Sequence, residues 1–195
     1  MIVEQTLEQE LKVAKKKSAK PMLWISMISM VMFFAGLTSA YVISMERDDW
    51  VSFDLPQAFY VSTVLIVASS ITLFLSQKFL KEDKRQLSLI LVVVTLLLGI
   101  GFVWQQYVGF NQLKSVGLFF TGPESTVSTS FIIGITFMHV LHLLAGIIVL
   151  LVVIYNHFKY KYKSDNMLGF ELGTIFWHFV DILWIYLFFF FYFIR

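Results

Sequence analysis

Apolar residues along the 195-residue chain gather in five long runs, separated by short polar stretches. Each run holds 20 or more largely apolar residues, the length that a helix needs to cross the ~30 Å hydrocarbon core of a bilayer. Alternation with a period of two is absent, and the runs are too long for barrel strands. The pattern predicts an all-α polytopic membrane helix bundle with five transmembrane helices, over about 22–44, 55–77, 87–109, 128–156 and 172–194.

Charged residues lie between the runs and predict how the bundle is oriented. Twelve of the fifteen basic residues fall in the N-terminal tail, the second loop and the fourth loop, which lie on one side of the membrane. The first loop, on the other side, is acidic, with Glu46, Asp48, Asp49 and Asp54. Because loops rich in Lys and Arg stay in the cytoplasm, we expect the N-terminus inside and the C-terminus outside.

The first residues, 1–21, are predicted to form a basic cytoplasmic tail ahead of a transmembrane domain at 22–195. Roughly twenty polar residues precede the first apolar run, unlike a secretory signal, so the first span is expected to be retained. Val3, Leu7, Leu11 and Ala14 share one helical face, which together with the lysines fits a helix lying on anionic lipid. A frayed polar tail fits the same residues equally well.

Composition agrees with a membrane protein and removes several kinds of chemistry. Hydrophobic residues make up 58% of the chain and charged residues 14%, against about 45–50% and about 25% in an average soluble domain. There is no cysteine, which excludes disulfides and thiolate metal sites. No loop is long enough to fold alone, so any activity lies within or between the spans, and nothing indicates a nucleic-acid partner.

Small residues within the runs predict where helices pack closely. Ser62, Ser69 and Ser76 repeat every seven residues on the second span, which predicts a left-handed packing stripe. Ser29 and Gly36 form a similar pair on the first span. Further close approaches are expected at four glycines of the third and fourth spans, Gly99, Gly101, Gly134 and Gly146.

Four polar side chains form the candidate site within the membrane. His139 and His142 lie on the fourth span, and His178 and Asp181 on the fifth, each pair spaced i, i+3 so that it shares a helix face. At 1.5 Å per residue, His142 and Asp181 both lie roughly 16 Å below the outer boundary, level with each other. We expect these two to pair across the helices with His139 and His178 on their flanks, and Asp181→Asn to weaken assembly.

Several functions compete for these four residues. Imidazole and carboxylate groups could bind zinc or iron, although no H-E-x-x-H motif is present. Two histidines on facing helices could ligate haem. An acid within the membrane could relay protons. The residues alone favour a fourth interpretation, in which a buried hydrogen-bonded pair holds two helices together.

Short segments in all five spans carry a resemblance to a known family. FWHFVDILWIYLF at 176–188 and LGFELG at 168–173 resemble the last helix of subunit III of haem–copper terminal oxidases. FMHVLHLLAG at 137–146 resembles the paired-histidine helix of that family, while VMFFAG at 31–36 and STVLIVASSITL at 62–73 resemble its earlier helices. The matches occur in family order and cover nearly the whole chain after residue 21. They include Gly36, Gly146, Glu171, Trp177 and Trp184.

The resemblance implies a non-redox accessory subunit with no catalytic residue of its own. In such a complex, haem and copper belong to the catalytic subunit I, which reduces oxygen to water and pumps protons. The expected partners are subunits I and II, other oxidase subunits and a larger respiratory supercomplex. The chain would stabilise subunit I, support its proton uptake and bind structural phospholipids. Lys20, Lys78 and Arg85 are candidate contacts for lipid headgroups, and Trp177 and Trp184 are expected in helix packing or against an acyl chain.

The chain also departs from the family pattern. Many members have seven spans, and this sequence resembles a five-span form in which another chain supplies the missing helices or lipid fills the cleft differently. The family's membrane glutamates are replaced around Met30 and Gly109, which removes support for a proton role at those positions. The alternatives are the accessory subunit of a nitric-oxide reductase and a haem-binding membrane electron carrier. By family analogy the location is a bacterial plasma membrane, and the electron donor, cytochrome c or quinol, stays open.

Overall fold

Five α-helices make up the part of the chain that the computed structural model describes, residues 2–120, 122, 125–162 and 167–194. Side chains are described from residue 10 onward, apart from 11, 12 and 15. All five helices are long and apolar enough to cross a membrane, which confirms the predicted bundle. Which ends face the cytoplasm stays a prediction. The helices are α1 (Ile2–Ser44), α2 (Gln57–Lys81), α3 (Arg85–Ser115), α4 (Val127–Phe158) and α5 (Leu168–Phe193).

The first helix differs most from its predicted bounds. α1 has 43 residues and continues through Pro21, so no backbone break separates residues 2–21 from the first span. At 1.5 Å per residue it is about 65 Å long, roughly twice the hydrocarbon thickness. Proline costs the helix one hydrogen bond, and here that loss falls in the polar stretch where water can replace it. Of the four residues predicted to share an apolar face, only Ala14 has a described side chain, and it is exposed.

The other four helices form a ring. α2 packs against α3 and α5, and α4 closes the ring by contacting α3 and α5. Within the described residues, α1 lies outside this ring and contacts α4 and α5 alone. α5 is therefore covered on three sides, and its most apolar stretch is the most buried of the five spans. Side chains of α5 that point into the ring meet α2, α3 and α4.

The predicted serine stripe lies inside the ring. Ser62, Ser69 and Ser76 are fully buried, which confirms α2 as a close-packing helix. Ser76 donates to the carbonyl oxygen of Ser88 on α3 at 2.8 Å, and Ser62 accepts from the amide of Gln106 at 3.0 Å. The stripe therefore ties α2 to α3 by hydrogen bonds as well as by close approach.

On α1, the predicted small-residue pair is wrong as a packing face. Ser29 and Gly36 are exposed, and a Cβ added at Gly36 would meet nothing within 4 Å among the described residues. The helix instead buries Met27, Phe34 and Tyr41, which are also seven residues apart and at most 3% exposed. These large side chains fill the space between α1 and its two neighbours, α4 and α5.

Candidate functional site

Trp177 lies at the centre of the four-helix ring and is fully buried. Its indole nitrogen donates to the hydroxyl oxygen of Ser69 on α2 at 3.1 Å. A Cβ added at Gly99 on α3 would lie 2.6 Å from the Trp177 Cη2 atom, and one at Gly146 on α4 would lie 3.2 Å from Cε3. One side chain of α5 thus contacts all three other helices of the ring, and the absence of side chains at the two glycines makes room for it.

Trp184, two turns further along α5, repeats this arrangement at another level of the ring. Its indole nitrogen donates to the Thr63 hydroxyl on α2 at 3.0 Å. Its ring centroid lies 5.7 Å from that of Phe59, 5.0 Å from Phe102 and 5.2 Å from His139. Edge contacts of this kind add to the burial energy of large rings. Both tryptophans therefore lie in helix packing, away from acyl chains.

Asp181 lies between the two tryptophan levels and is 1% exposed. Neither carboxyl oxygen has a hydrogen-bond partner among the described residues. The hydroxyls of Ser69 and Ser70 lie beside the carboxyl, but the Ser69 hydroxyl donates to the carbonyl oxygen of Ile66 at 2.8 Å. The Ser70 hydroxyl is 2.7 Å from the His178 ring. The carboxyl is thus enclosed by neutral groups, with neither a cation nor a committed donor.

The two histidines of α4 occupy different surroundings. His139 is fully buried and neither ring nitrogen has a partner within the described ranges. His142 is half-buried, and its Nδ1 atom donates to the carbonyl oxygen of Met138 at 2.7 Å. Its ring packs near Phe33 and Phe34 of α1, with centroids 6.5 and 5.5 Å apart. His142 therefore faces α1.

The predicted pair of His142 and Asp181 is wrong. Both residues lie at the middle of their helices, and their equal depth in the membrane stays a prediction. The rise per residue fixes depth alone, whereas contact also requires that the two side chains face each other. His142 is turned toward α1 and Asp181 toward α2, and each polar group is bounded by different neighbours.

Asp181→Asn is therefore expected to leave the stability of the bundle nearly unchanged, within about 1 kcal/mol. Asparagine keeps the shape of the carboxyl and one oxygen that can accept from the Ser69 and Ser70 hydroxyls beside it. Unfolding in mixed micelles with increasing dodecyl sulfate measures the difference. A loss of more than about 2 kcal/mol would reveal an ionic partner, because breaking a buried ion pair costs about 3–5 kcal/mol.

The three basic residues predicted to contact lipid headgroups have different surroundings in the structure. The Lys20 ammonium lies 2.7 Å from the Glu171 carboxylate, linking α1 to the start of α5. Lys78 is exposed on the last turn of α2. Arg85 begins α3 and is half-buried: its guanidinium donates to the carbonyl oxygens of His157 and Tyr162, the latter at 3.3 Å. Arg85 thus caps the C-terminal end of α4.

Two aromatic residues complete the surroundings of Arg85. The guanidinium carbon lies 4.0 Å from the centre of the Tyr160 ring, a cation–π contact. The His157 Nε2 atom donates to the Arg85 carbonyl oxygen at 3.2 Å. Burial raises the pKa of the neighbouring Tyr162 phenol above its ordinary value. These contacts fix the α4–α5 connection against the start of α3.

Arg85→Gln is expected to lower the free energy of unfolding by about 1.5–3 kcal/mol, the contribution typical of hydrogen bonds to a charged group. The loss should appear first as proteolysis between α4 and α5, because the end of α4 is released there. Lys84→Gln is the matched control, since Lys84 is exposed and its ammonium contacts only nearby residues, Glu82 at 2.9 Å and the Phe79 ring at 5.5 Å. Equal proteolysis of both variants would contradict the capping role.

An apolar groove of about 330 Å³ separates α1 from α5. Val31, Phe34, Phe179 and Ile182 are among its lining residues. At one end, the Tyr186 hydroxyl lies 3.2 Å from the Thr38 hydroxyl. The groove is open to the surface of the bundle and offers few polar groups, so it suits a hydrocarbon ligand better than a polar one.

Chemically, this interior is suited to holding helices together. Across the described ranges, no three His, Asp or Glu side chains converge on a point that could hold a metal ion. His139, His178 and Asp181 are separated by tryptophan rings and serine hydroxyls. Sequence reasoning missed the hydroxyl partners Thr63, Ser69 and Ser70, although the spacing of the serine stripe could have indicated Ser69.

Comparisons with known proteins agree with this picture. A family model described as cytochrome c oxidase subunit III matches residues 1–195. The chain is 33% identical to cytochrome c oxidase subunit 3 of Pyricularia grisea over 135 residues, which are 69% of this chain and 47% of that protein. It is 32% identical to the Podospora anserina protein with the same coverage. For the Pelomedusa subrufa protein the identity is 29% over 127 residues, 65% of this chain and 46% of the relative. The chain spans about half the length of the curated relatives it matches.

Proposed function

Because the chain belongs to the cytochrome c oxidase subunit III family, we propose that it is a non-redox accessory subunit of a haem–copper terminal oxidase. The match over all 195 residues is the observation that carries this proposal. In this role the chain packs on the catalytic subunit, which holds haem and copper, reduces oxygen to water and pumps protons. Its expected partners are subunits I and II and the other oxidase subunits, within a larger respiratory supercomplex.

The interior of the bundle supports a stabilising role. Its polar groups are committed to helix packing, as with Ser69, or enclosed, as with Asp181. A rigid ring closed by two tryptophans would present a fixed surface to the catalytic subunit. Support of proton uptake, also part of this proposal, would then act through the shape of that surface. The nitric-oxide reductase subunit and the haem-binding carrier are not favoured, since the relatives are cytochrome c oxidase subunits.

Structural phospholipids belong to the same proposal. The groove between α1 and α5 has an apolar lining suited to an acyl chain. Lys20 and Lys78 remain proposed headgroup contacts, although Lys20 also forms an ion pair with Glu171. Arg85 is the weakest of the three, because its guanidinium is occupied by two carbonyl oxygens.

The chain is a multi-pass membrane protein by its five spanning helices. We propose a bacterial plasma membrane as its location, with the N-terminus inside, on the distribution of basic loops. The relatives named above are eukaryotic and do not by themselves favour a bacterial membrane.

Purification through a C-terminal tag in mild detergent tests the function. We expect a large subunit with haem and copper to co-purify, giving a haem signal in the reduced-minus-oxidised spectrum and oxygen consumption with an added electron donor. Removing the tagged chain from the membrane should shorten the working life of the remaining oxidase. A chain that purifies alone and coloured would overturn the proposal and make His139, His142 and His178 candidate haem ligands.

A further inference from the structure

We propose that the outer surface of the α2–α5 seam, at the middle of the membrane, is covered by a transmembrane helix of another subunit that makes a hydrogen bond with His178. This surface has the imidazole of His178 and the hydroxyl of Ser70 at its centre. Val67, Ile71 and Phe74 of α2 and Ile182 of α5 surround them on the exposed faces of the two helices. The inference rests on the proposed function, because it places one contact of an oxidase subunit with its complex.

The depth of this polar pair is fixed by the helices. Ser70 is one residue from the middle of α2 (Gln57–Lys81), and His178 lies about 4 Å from the middle of α5 at 1.5 Å per residue. Both groups therefore lie near the centre of a ~30 Å hydrocarbon core. Headgroups and water are absent at that depth, and a lipid offers acyl chains alone.

The free nitrogen of His178 reaches the surface. His178 is half-buried, its Nδ1 atom is 2.7 Å from the Ser70 hydroxyl, and Nε2 makes no hydrogen bond with the described residues. The Nε2 atom is not among the enclosed polar atoms, unlike both nitrogens of His139. A polar atom that is open to hydrocarbon carries a cost of a few kcal/mol when it stays unpaired.

The Ser70 hydroxyl occupies one side of the His178 ring. It lies 2.7 Å from Nδ1 and beside the Asp181 carboxyl, so its proton goes either to Nδ1 or to that carboxyl. In the first case the ring proton of the neutral imidazole lies on Nε2, and in the second it lies on Nδ1. Nε2 is a donor in one case and an acceptor in the other, and in both cases it needs a polar partner on the outer surface.

A transmembrane helix supplies the required partner. Ser, Thr, Asn and Gln side chains on such a helix can donate to Nε2 or accept from it, and hydrogen bonds between helices within a membrane contribute about 0.6–1.7 kcal/mol. The apolar residues around the pair provide the packing surface. The occupant is therefore a helix of another polypeptide that carries one polar residue at its middle.

Four versions of position 178 separate this role from simple packing: His178, His178→Gln, His178→Asn and His178→Leu. The side-chain amide of glutamine reaches the position of Nε2 and can donate or accept there, whereas that of asparagine reaches only the position of Nδ1. Each version carries a benzoyl-phenylalanine photo-crosslinker at Ile71 in the full tagged chain, expressed in its own membrane. Leu97 and Ile148, exposed on α3 and α4, are the control positions.

We expect cross-links from Ile71 to a transmembrane segment of a co-purifying oxidase subunit, mapped by mass spectrometry. Their yield should be similar for His178 and His178→Gln, and about 3- to 18-fold lower for His178→Asn and His178→Leu, corresponding to the strength of one such hydrogen bond. Without the crosslinker, the same order should hold for retention of that subunit as detergent is raised.

Other outcomes overturn the inference. These are a phospholipid adduct alone, a cross-link to a second copy of this chain, or yields and retention that do not depend on residue 178. If the complex contains a haem–copper subunit in all four versions and neither yield nor retention changes, this inference fails and the proposed function stands. If no such subunit co-purifies with the wild-type chain, the proposed function itself fails.

Discussion

Trp177→Ala is expected to lower the free energy of unfolding of the bundle by about 3–5 kcal/mol, the range for removing a large aromatic from a packed core. Trp177 is fully buried and contacts α2, α3 and α4 from α5. No single neighbour can move into the space, because three helices surround it. The hydroxyl of Ser69 would also lose its indole donor.

Unfolding in mixed micelles, followed by far-UV circular dichroism, measures this loss. Trp104→Ala is the matched control, because Trp104 is 65% exposed on α3 and its removal opens no cavity. The control should change the unfolding free energy by less than about 0.5 kcal/mol. A Trp177→Ala variant as stable as the control would show that the ring does not depend on this side chain.

The contact with Gly99 gives a second, independent measurement at the same place. Gly99→Ala puts a methyl group 2.6 Å from Trp177 Cη2, an overlap that costs about 1–3 kcal/mol. With Trp177→Phe present, the smaller ring leaves room, so the Gly99→Ala change should become nearly neutral. A double-mutant cycle that gave additive losses would place the two residues out of contact.

Gly109→Glu is the second substitution with a large expected effect, a loss on the order of 3 kcal/mol or more. The resemblance of the sequence to the family implies an acid near this position, so the change tests whether that acid can be restored. In this chain it cannot be accommodated: a Cβ added at Gly109 would lie 2.6 Å from Cε1 of Phe59 on α2. The added carboxylate would also bring a charge into the packed contact between α2 and α3, which costs more than the overlap alone.

Three matched variants separate the overlap from the charge. Gly109→Ala tests the overlap alone and should cost about 1–3 kcal/mol. Gly101→Ala on the same helix should be nearly neutral, because its Cβ would be 3.6 Å from the nearest atom, Cδ1 of Leu65. Adding Phe59→Ala to Gly109→Glu should restore part of the loss that the glutamate causes. If Gly109→Glu alone folds as well as the wild-type chain, the α2–α3 contact at Phe59 is looser than the structure has it.

These two contacts follow one principle of this bundle. At Gly99 and at Gly109, a large aromatic side chain from one helix fills the space left by a glycine on another. In lipid, packing of this kind replaces the hydrophobic effect as the force between helices. The chain therefore holds the Phe59 ring where the family resemblance implies a membrane acid, and a proton role at Gly109 would require a different neighbour at position 59.

The sequence by itself determined the class, the helix count and the position of the polar residues along their helices. Bilayer thickness fixes the length of an apolar run, and the rise of 1.5 Å per residue fixes the level of each side chain. His142 and Asp181 were therefore placed correctly at mid-helix. The serine stripe of α2 was also correct, because a seven-residue repeat of small side chains has few uses other than close packing.

Only the tertiary structure decided which way each side chain turns and what it meets. The sequence predicted a His142–Asp181 pair and a Ser29–Gly36 packing face, and both are wrong because helix rotation depends on every neighbour at once. α1 uses Met27, Phe34 and Tyr41 instead, and Asp181 faces the serines of α2. The periodicity of one helix shows which residues share a face. It does not show which residues of a second helix that face contacts, because those contacts depend on how the whole bundle packs.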